Sequence, residues 1–212
     1  HIAEDGGTKL YGMVRNDPVN NTDELGLKIT KYSVGSASAS GSHIAGYSAY
    51  TTGNWAANLY VSKPIKEGNG WKVEVRGSLS LTMNYSTYDH DEQGRSSFDH
   101  EHVHEQIWGD NWNRMADAIN GVETTYCSKE CADLASQAAE AIANMYHHQN
   151  RGQNRNFDIQ AYPKRLQQAG LMGQYQSEVN QHHQAWQQLD RQLDDIEQKW
   201  KQQKCSHSAP KP

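Results

Sequence analysis

The chain has 212 residues, enough for one medium domain or one domain with an appendage. Only 35% of them are hydrophobic and the mean hydropathy is -0.94, so part of the chain is expected to pack thinly or to work by association. A net charge of -5 with a pI near 6.1 excludes a nucleic-acid binder built on a basic face. No run approaches the roughly 20 apolar residues of a membrane-spanning helix.

Residues 1–27 hold Gly6-Gly7, Pro18 and Asn20-Asn21 with little periodicity, and read as an irregular N-terminal arm. A main domain is expected over 28–165. "LKITKYSVGSASASG" reads as a short strand and a small-residue loop, and "YSAYTTGNWAANLYVSK" offers Trp55, Leu59 and Val61 as core contacts. "WKVEVRGSLSLTMNY" is the clearest β signal, with Val73, Val75, Leu79, Leu81 and Met83 alternating with polar neighbours, and Gly77 fits a bulge or bend.

After a polar loop, Ile107, Trp108, Met115, Ile119 and Val122 recur at spacings of three and four, which predicts a helix over 98–120 ended by Gly121. Ser128 can cap a second helix whose apolar stripe is Leu134, Ala138, Ile142 and Met145. That helix is expected to stop near His148, before "QNRGQNRN", with 157–163 a loop or short turn. Residues 166–204 form a Gln-rich long helix, in which Trp186, Leu189, Leu193, Ile196 and Trp200 make a narrow stripe like a coiled-coil seam. It either lies across the domain or drives self-association. The tail 205–212 is expected to be disordered. The fold class is therefore α+β: a small antiparallel or mixed sheet packed on the first helix and an antiparallel second helix, with a long C-terminal helix.

Three cysteines, Cys127, Cys131 and Cys205, allow one disulfide with one thiol left over. Cys127 with Cys131 is the local option, while Cys205 can tie the C-terminal helix back or bridge two chains. The chain opens on His1 rather than Met, as it would after removal of a leader, so a secreted or periplasmic location is expected.

The run "SSFDHEHVHEQIWGD" contains His100-Glu101-x-x-His104 at the start of the first helix. Residues four apart share a helix face, so the two imidazoles can bind one metal ion through neutral ring nitrogens. Glu101 is turned to the side of the pair, where it can act as general base on a metal-activated water. His102 and Glu105 are expected to point elsewhere and lie exposed, and His90 and Asp89 to be polar loop residues.

A catalytic zinc usually takes three protein ligands. Asp110 would need a sharp turn at Ile107, where the helix continues. If the two helices form an antiparallel hairpin, His148 or His147 lies nearest the site. His148 is preferred, Asp158 is the runner-up, and Glu140 falls about one turn too deep.

The order of segments resembles an uncharacterised bacterial family of predicted secreted zinc-dependent proteases within the H-E-x-x-H metallopeptidase clan. The similarity covers about 28–160 and runs through "KYSVGSAS", "AYTTGNWAANLYV", "WKVEVRGSLSL" and "HEHVHEQIW". It continues with Cys127 or Cys131 before a second helix, and then Phe157-Asp158. Where the family carries Thr-x-His-Gly, this chain has Ala161, Tyr162, Pro163 and Lys164. The resemblance implies zinc on His100 and His104, with Glu101 as base. It also implies an edge strand over 78–85 receiving an extended peptide, and an oxyanion donor among Tyr146, Tyr162 and His147.

Together these features lead to the expectation of a zincin-like metalloprotease using Zn2+ on peptide or protein substrates, with no nucleic-acid partner. The alternative is a non-catalytic secreted binding domain with a structural or vestigial metal site, whose Gln-rich helix makes the partner contacts.

Overall fold

Two serines set the start of the two helices around which the chain is built. In the computed structural model, which describes residues 29–32, 37–39, 49–55, 57–86, 89–122, 124–206 and 209–212, the Ser96 hydroxyl accepts from the Asp99 amide and the Ser128 hydroxyl from that of Cys131. Each hydroxyl satisfies one amide that the first helical turn leaves unpaired. Helix α1 then runs Ser97–Asn120, with Gly121 following as expected, and α2 runs Lys129–Ala161. The expected arm over 1–27 lies outside the described residues.

Helix α1 buries Trp108, Trp112, Met115, Ala116 and Ile119, and α2 buries Leu134, Ala135, Ala138, Ala139, Ile142 and Met145. The extended segment before the strands is pinned along α1 by asparagines acting in place of a backbone partner. Ile29 donates its amide to Asn120 Oδ1 at 2.9 Å and accepts from Asn120 Nδ2 at 3.0 Å. Tyr32 makes the same exchange with Asn113, and Trp112 Nε1 donates to the Thr30 carbonyl at 2.8 Å. This close approach explains Gly109, since a Cβ there would lie 2.7 Å from the Tyr32 ring.

The second helix does not stop near His148. It continues for 33 residues in all, and the stretch expected as a loop is its last turn followed by α3, Pro163–Gln168. No proline interrupts before Pro163, and Gly152 costs an exposed helix only about 1 kcal/mol. Within the polar stretch that suggested a break, Asn150 and Asn154 lie four apart on one inward face, continued by Asp158, and each finds a partner there.

Helix α4, Met172–Gln202, packs antiparallel on α2. Leu193, Ile196 and Trp200 of its stripe are buried, with Trp186 and Leu189 partly buried on the same core, so the seam is covered within the chain. Cys131 and Cys205 form the disulfide, and Cys127 is a free, exposed thiol. The tail is therefore tethered rather than loose: Ala209 packs against the core and Lys211 Nζ lies 3.1 Å from Glu197.

The strands are short: β1 Ala37–Ala39, β2 Tyr50–Gly53, β3 Leu59–Val61, β4 Ile65–Glu67, β5 Gly70–Lys72, β6 Val75–Gly77, β7 Leu81–Tyr85 and β8 Thr125–Tyr126. They form three small sheets, ordered β1-β7-β2, β3-β6 and β4-β5-β8. The single β signal of "WKVEVRGSLSLTMNY" is thus cut into β5, β6 and β7, one in each sheet. Gly77 is explained by a close approach, since a Cβ would lie 2.9 Å from the Asn58 carbonyl oxygen. Strand β7, expected at an edge, is central. It pairs parallel with β1 (Ala37 opposite Met83) and antiparallel with β2 (Thr51 opposite Met83), so both of its backbone edges are used.

The disulfide closes a sequence separation of 74 residues and fixes α4 to the first turn of α2. Cys205→Ser is expected to lower the unfolding free energy by about 2–4 kcal/mol, measured by urea denaturation. An unchanged midpoint would contradict this role.

Candidate metal centre

The first turns of α1 carry His100, Glu101 and His104, all buried, at 2%, 4% and 8% exposure. One ligand atom from each lies within 4.8 Å of the others, so the group can hold a metal ion. The two imidazoles meet through Nε2, 3.1 Å apart, as their four-residue spacing requires. The inward face of α2 adds a third acceptor. Asp158 Oδ1 lies 3.0 Å from His104 Nε2 and 3.6 Å from His100 Nε2. Zinc bonds of about 2.0–2.2 Å in a tetrahedral shell place neighbouring ligand atoms about 3.3–3.5 Å apart. The three observed separations bracket that range.

The other ring nitrogens are turned away from this point. His104 Nδ1 bonds Asn154 Oδ1, whose own amide nitrogen donates to the carbonyl and side-chain oxygens of Asn150. That leaves Asn154 as the acceptor and His104 Nδ1 as the donor, so Nε2 can bind a metal once it gives up the proton that the Asp158 carboxylate accepts. His100 Nδ1 faces the buried carboxylate of Asp91 at 3.5 Å. Asp91 is itself held by the Arg95 guanidinium at 2.6 Å and by the amides of Gln93 and Arg95, at 2.9 Å each. These bonds to Arg95 and Gln93 overcome burial and keep the Asp91 carboxyl below its ordinary pKa.

Burial pushes the Asp158 carboxyl up, but bonds to His100 and His104 outweigh it and bring the pKa down to about 2. Burial opposes charge on His104, yet Asp158 and Glu101 raise its pKa above the usual value. The centre therefore attracts a positive charge, which either a proton or a cation can supply. Glu101 is set apart from the other acids. Burial raises its pKa against the pull of His104 and of Thr51, whose Oγ1 donates to Glu101 Oε2 at 2.7 Å.

Two rings close the wall. Phe157 packs on His100 and His104 with ring centroids at 4.7 and 5.0 Å, and Tyr162 lies 4.8 Å from His100. Burial, with Asp89 and Glu101 nearby, raises the Tyr162 pKa, so its hydroxyl stays protonated and able to donate. Of the three oxyanion candidates only Tyr162 is brought here. Tyr146 lies half-buried near Arg114 and Asp117, and His147 stacks on Trp55.

His148, the preferred third ligand, is not at the centre. The two helices pair further along than expected, and His104 lies level with Asn154 and Asp158 rather than with Asn144. His148 instead meets His182 of α4 through Nδ1 atoms 3.0 Å apart. Glu140 is exposed and lines a separate cavity with Trp55 and His147, and Asp110 is exposed in the middle of α1. His90 and Asp89 are polar loop residues, as expected, held by Arg165. Glu105, expected to be exposed, is buried and takes a 2.6 Å bond from the Tyr32 hydroxyl, with His102 Nδ1 at 2.9 Å from its other oxygen.

Sequence reasoning missed Asn154, Asp91 and Thr51. Asn150, Asn154 and Asp158 at four-residue spacing is a signal that could have been read. Thr51 and Asp91 reach the centre through sheet and loop packing that no local pattern announces.

The fold and site define a class: an α+β chain whose buried His-Glu-x-x-His group, near the start of a helix, can hold a metal ion. Comparisons with protein-family models, with curated proteins and with solved structures found no match to this chain.

If Asp158 completes the ligand set, Asn154→Ala should weaken metal binding by roughly 10–100-fold and Asp158→Ala by more. His148→Ala should leave affinity at this centre unchanged. Competition with a chromophoric chelator measures all three, and equal losses in Asp158→Ala and His148→Ala would contradict the assignment.

Proposed function

We propose that this chain is a zinc-dependent metallopeptidase that cleaves peptide bonds in extracellular or periplasmic proteins, with His100, His104 and Asp158 as ligands. The observation that carries the reading is the convergence of His100 Nε2, His104 Nε2 and Asp158 Oδ1 within 3.6 Å, with the Glu101 carboxylate beside the histidines. Two imidazoles and one carboxylate are a donor set suited to catalytic zinc, with a fourth position left for water. A zinc ion held there would supply Lewis acidity and lower the pKa of a water towards about 7.

The chain's own residues do the rest. Glu101, held by Thr51 beside the two histidines, receives the proton of the attacking water. Its burial favours the protonated carboxyl that results, and the proton then passes to the leaving amine as the C–N bond breaks. The products are a carboxylic acid and an amine. Asn154 keeps the His104 imidazole from rotating away, and the Asp91 carboxylate faces His100 Nδ1 at 3.5 Å. Tyr162, whose ring packs against His100, is the candidate donor to negative charge on the carbonyl oxygen.

One observation favours a second reading, a non-catalytic module with a structural metal. Glu101 and both histidines are at most 8% exposed, with Phe157 and Tyr162 against His100.

A pair of variants separates the two readings. Glu101→Gln is expected to keep one equivalent of zinc and to lose peptide hydrolysis by about 10²–10⁴-fold, whereas His104→Ala loses both. Retained zinc with no hydrolysis in the wild-type protein, over a broad peptide library, would favour the structural role.

A further inference from the structure

The two histidines that leave the main centre face each other across the groove between α2 and α4. His148 Nδ1 and His182 Nδ1 are 3.0 Å apart, with ring centroids at 5.3 Å. Two neutral imidazoles at this distance share one N–H. Moving that hydrogen to Nε2 of the same ring changes no charge and leaves two lone pairs aimed into one gap. The separation suits two adjacent ligands of an ion with bonds of about 2.0–2.1 Å.

Both rings are half-exposed, and the groove they line, of about 430 Å³, has room for an ion and its waters. Each histidine projects from the middle of a long helix. The helices are joined by the Cys131–Cys205 bridge towards one end and by the Arg155–Glu178 pair beyond the histidines. The two nitrogens are thus held in place before any ion arrives, which reduces the ordering cost of binding.

No carboxylate completes this site. Glu178, one turn before His182, is engaged by Arg155. Arg151 adds positive charge near both rings. Two imidazoles with water completing the shell favour the ion that tolerates tetragonal nitrogen and oxygen ligation and heads the divalent affinity order, Cu2+.

We infer that His148 and His182 form a second, exchangeable metal site, a two-imidazole clamp for a late first-row divalent ion with Cu2+ preferred, which ties α4 to α2. It is separate from the His100 centre and does not depend on the peptidase reading.

The test is Cu2+ titration of the full chain, followed by electron paramagnetic resonance and by thermal unfolding. The proteins compared are wild type, His148→Asn, His182→Asn and the double variant. Each single variant is expected to lose one equivalent of Cu2+ with a two-nitrogen signature, its affinity falling at least roughly 10–100-fold. The double variant should lose no more than either single one, and the rise in melting temperature on adding Cu2+ should vanish in all three. The His104→Ala protein should keep this equivalent. Unchanged stoichiometry in either single variant, or losses that add in the double variant, would overturn the inference and leave the pair as an interhelical hydrogen bond.

Discussion

The centre of this protein is a point on which three electron-pair donors converge. His100 Nε2, His104 Nε2 and Asp158 Oδ1 stand 3.0–3.6 Å apart, and the opposite nitrogen of each imidazole faces an acceptor of its own. Acceptors gathered at this distance in a largely dry setting repel unless positive charge lies among them. The rest of the architecture keeps that point from relaxing. Asn154 holds the His104 ring and Asp91 faces that of His100, and Asn150 and Arg95 hold those two in turn.

The scaffold follows from the need to bring the first turn of α1 against the last turns of α2. An antiparallel hairpin achieves this only if α2 outlasts its apolar stripe, which ends at Met145, well before Asp158. Its final turns are therefore polar and draw stability from the centre and from α4 rather than from hydrophobic burial. Helix α4 covers α2 along its length, and the disulfide secures the far end. A chain lean in hydrophobic residues thus supports helices of 24, 33 and 31 residues by packing them on one another.

Much of this was legible locally. The stripe of α1, its stop at Gly121, the cap at Ser128 and the long final helix were all readable from periodicity and capping chemistry, because those signals reside within one element. The His100–Glu101–His104 frame was readable for the same reason. The end of α2 was not, because a polar helix face buried against another polar face looks like a loop by composition. With the helix ended near His148, Asp158 fell in a returning loop and ranked behind His148. The position of β7 was hidden for a different reason, since strand order depends on pairings between segments distant in the sequence, such as Ala37 with Met83 and Thr51 with Met83.

The reading that joins these features is hydrolysis at a zinc centre formed by α1 and α2, with Glu101 handling the proton. Its most direct test is zinc-edge X-ray absorption of the protein carrying His148→Asn and His182→Asn, loaded with one equivalent of zinc. The account predicts a first shell of two imidazole nitrogens and oxygen ligands at about 2.0–2.2 Å. A shell with three imidazoles, with sulfur, or with water oxygens alone would contradict it.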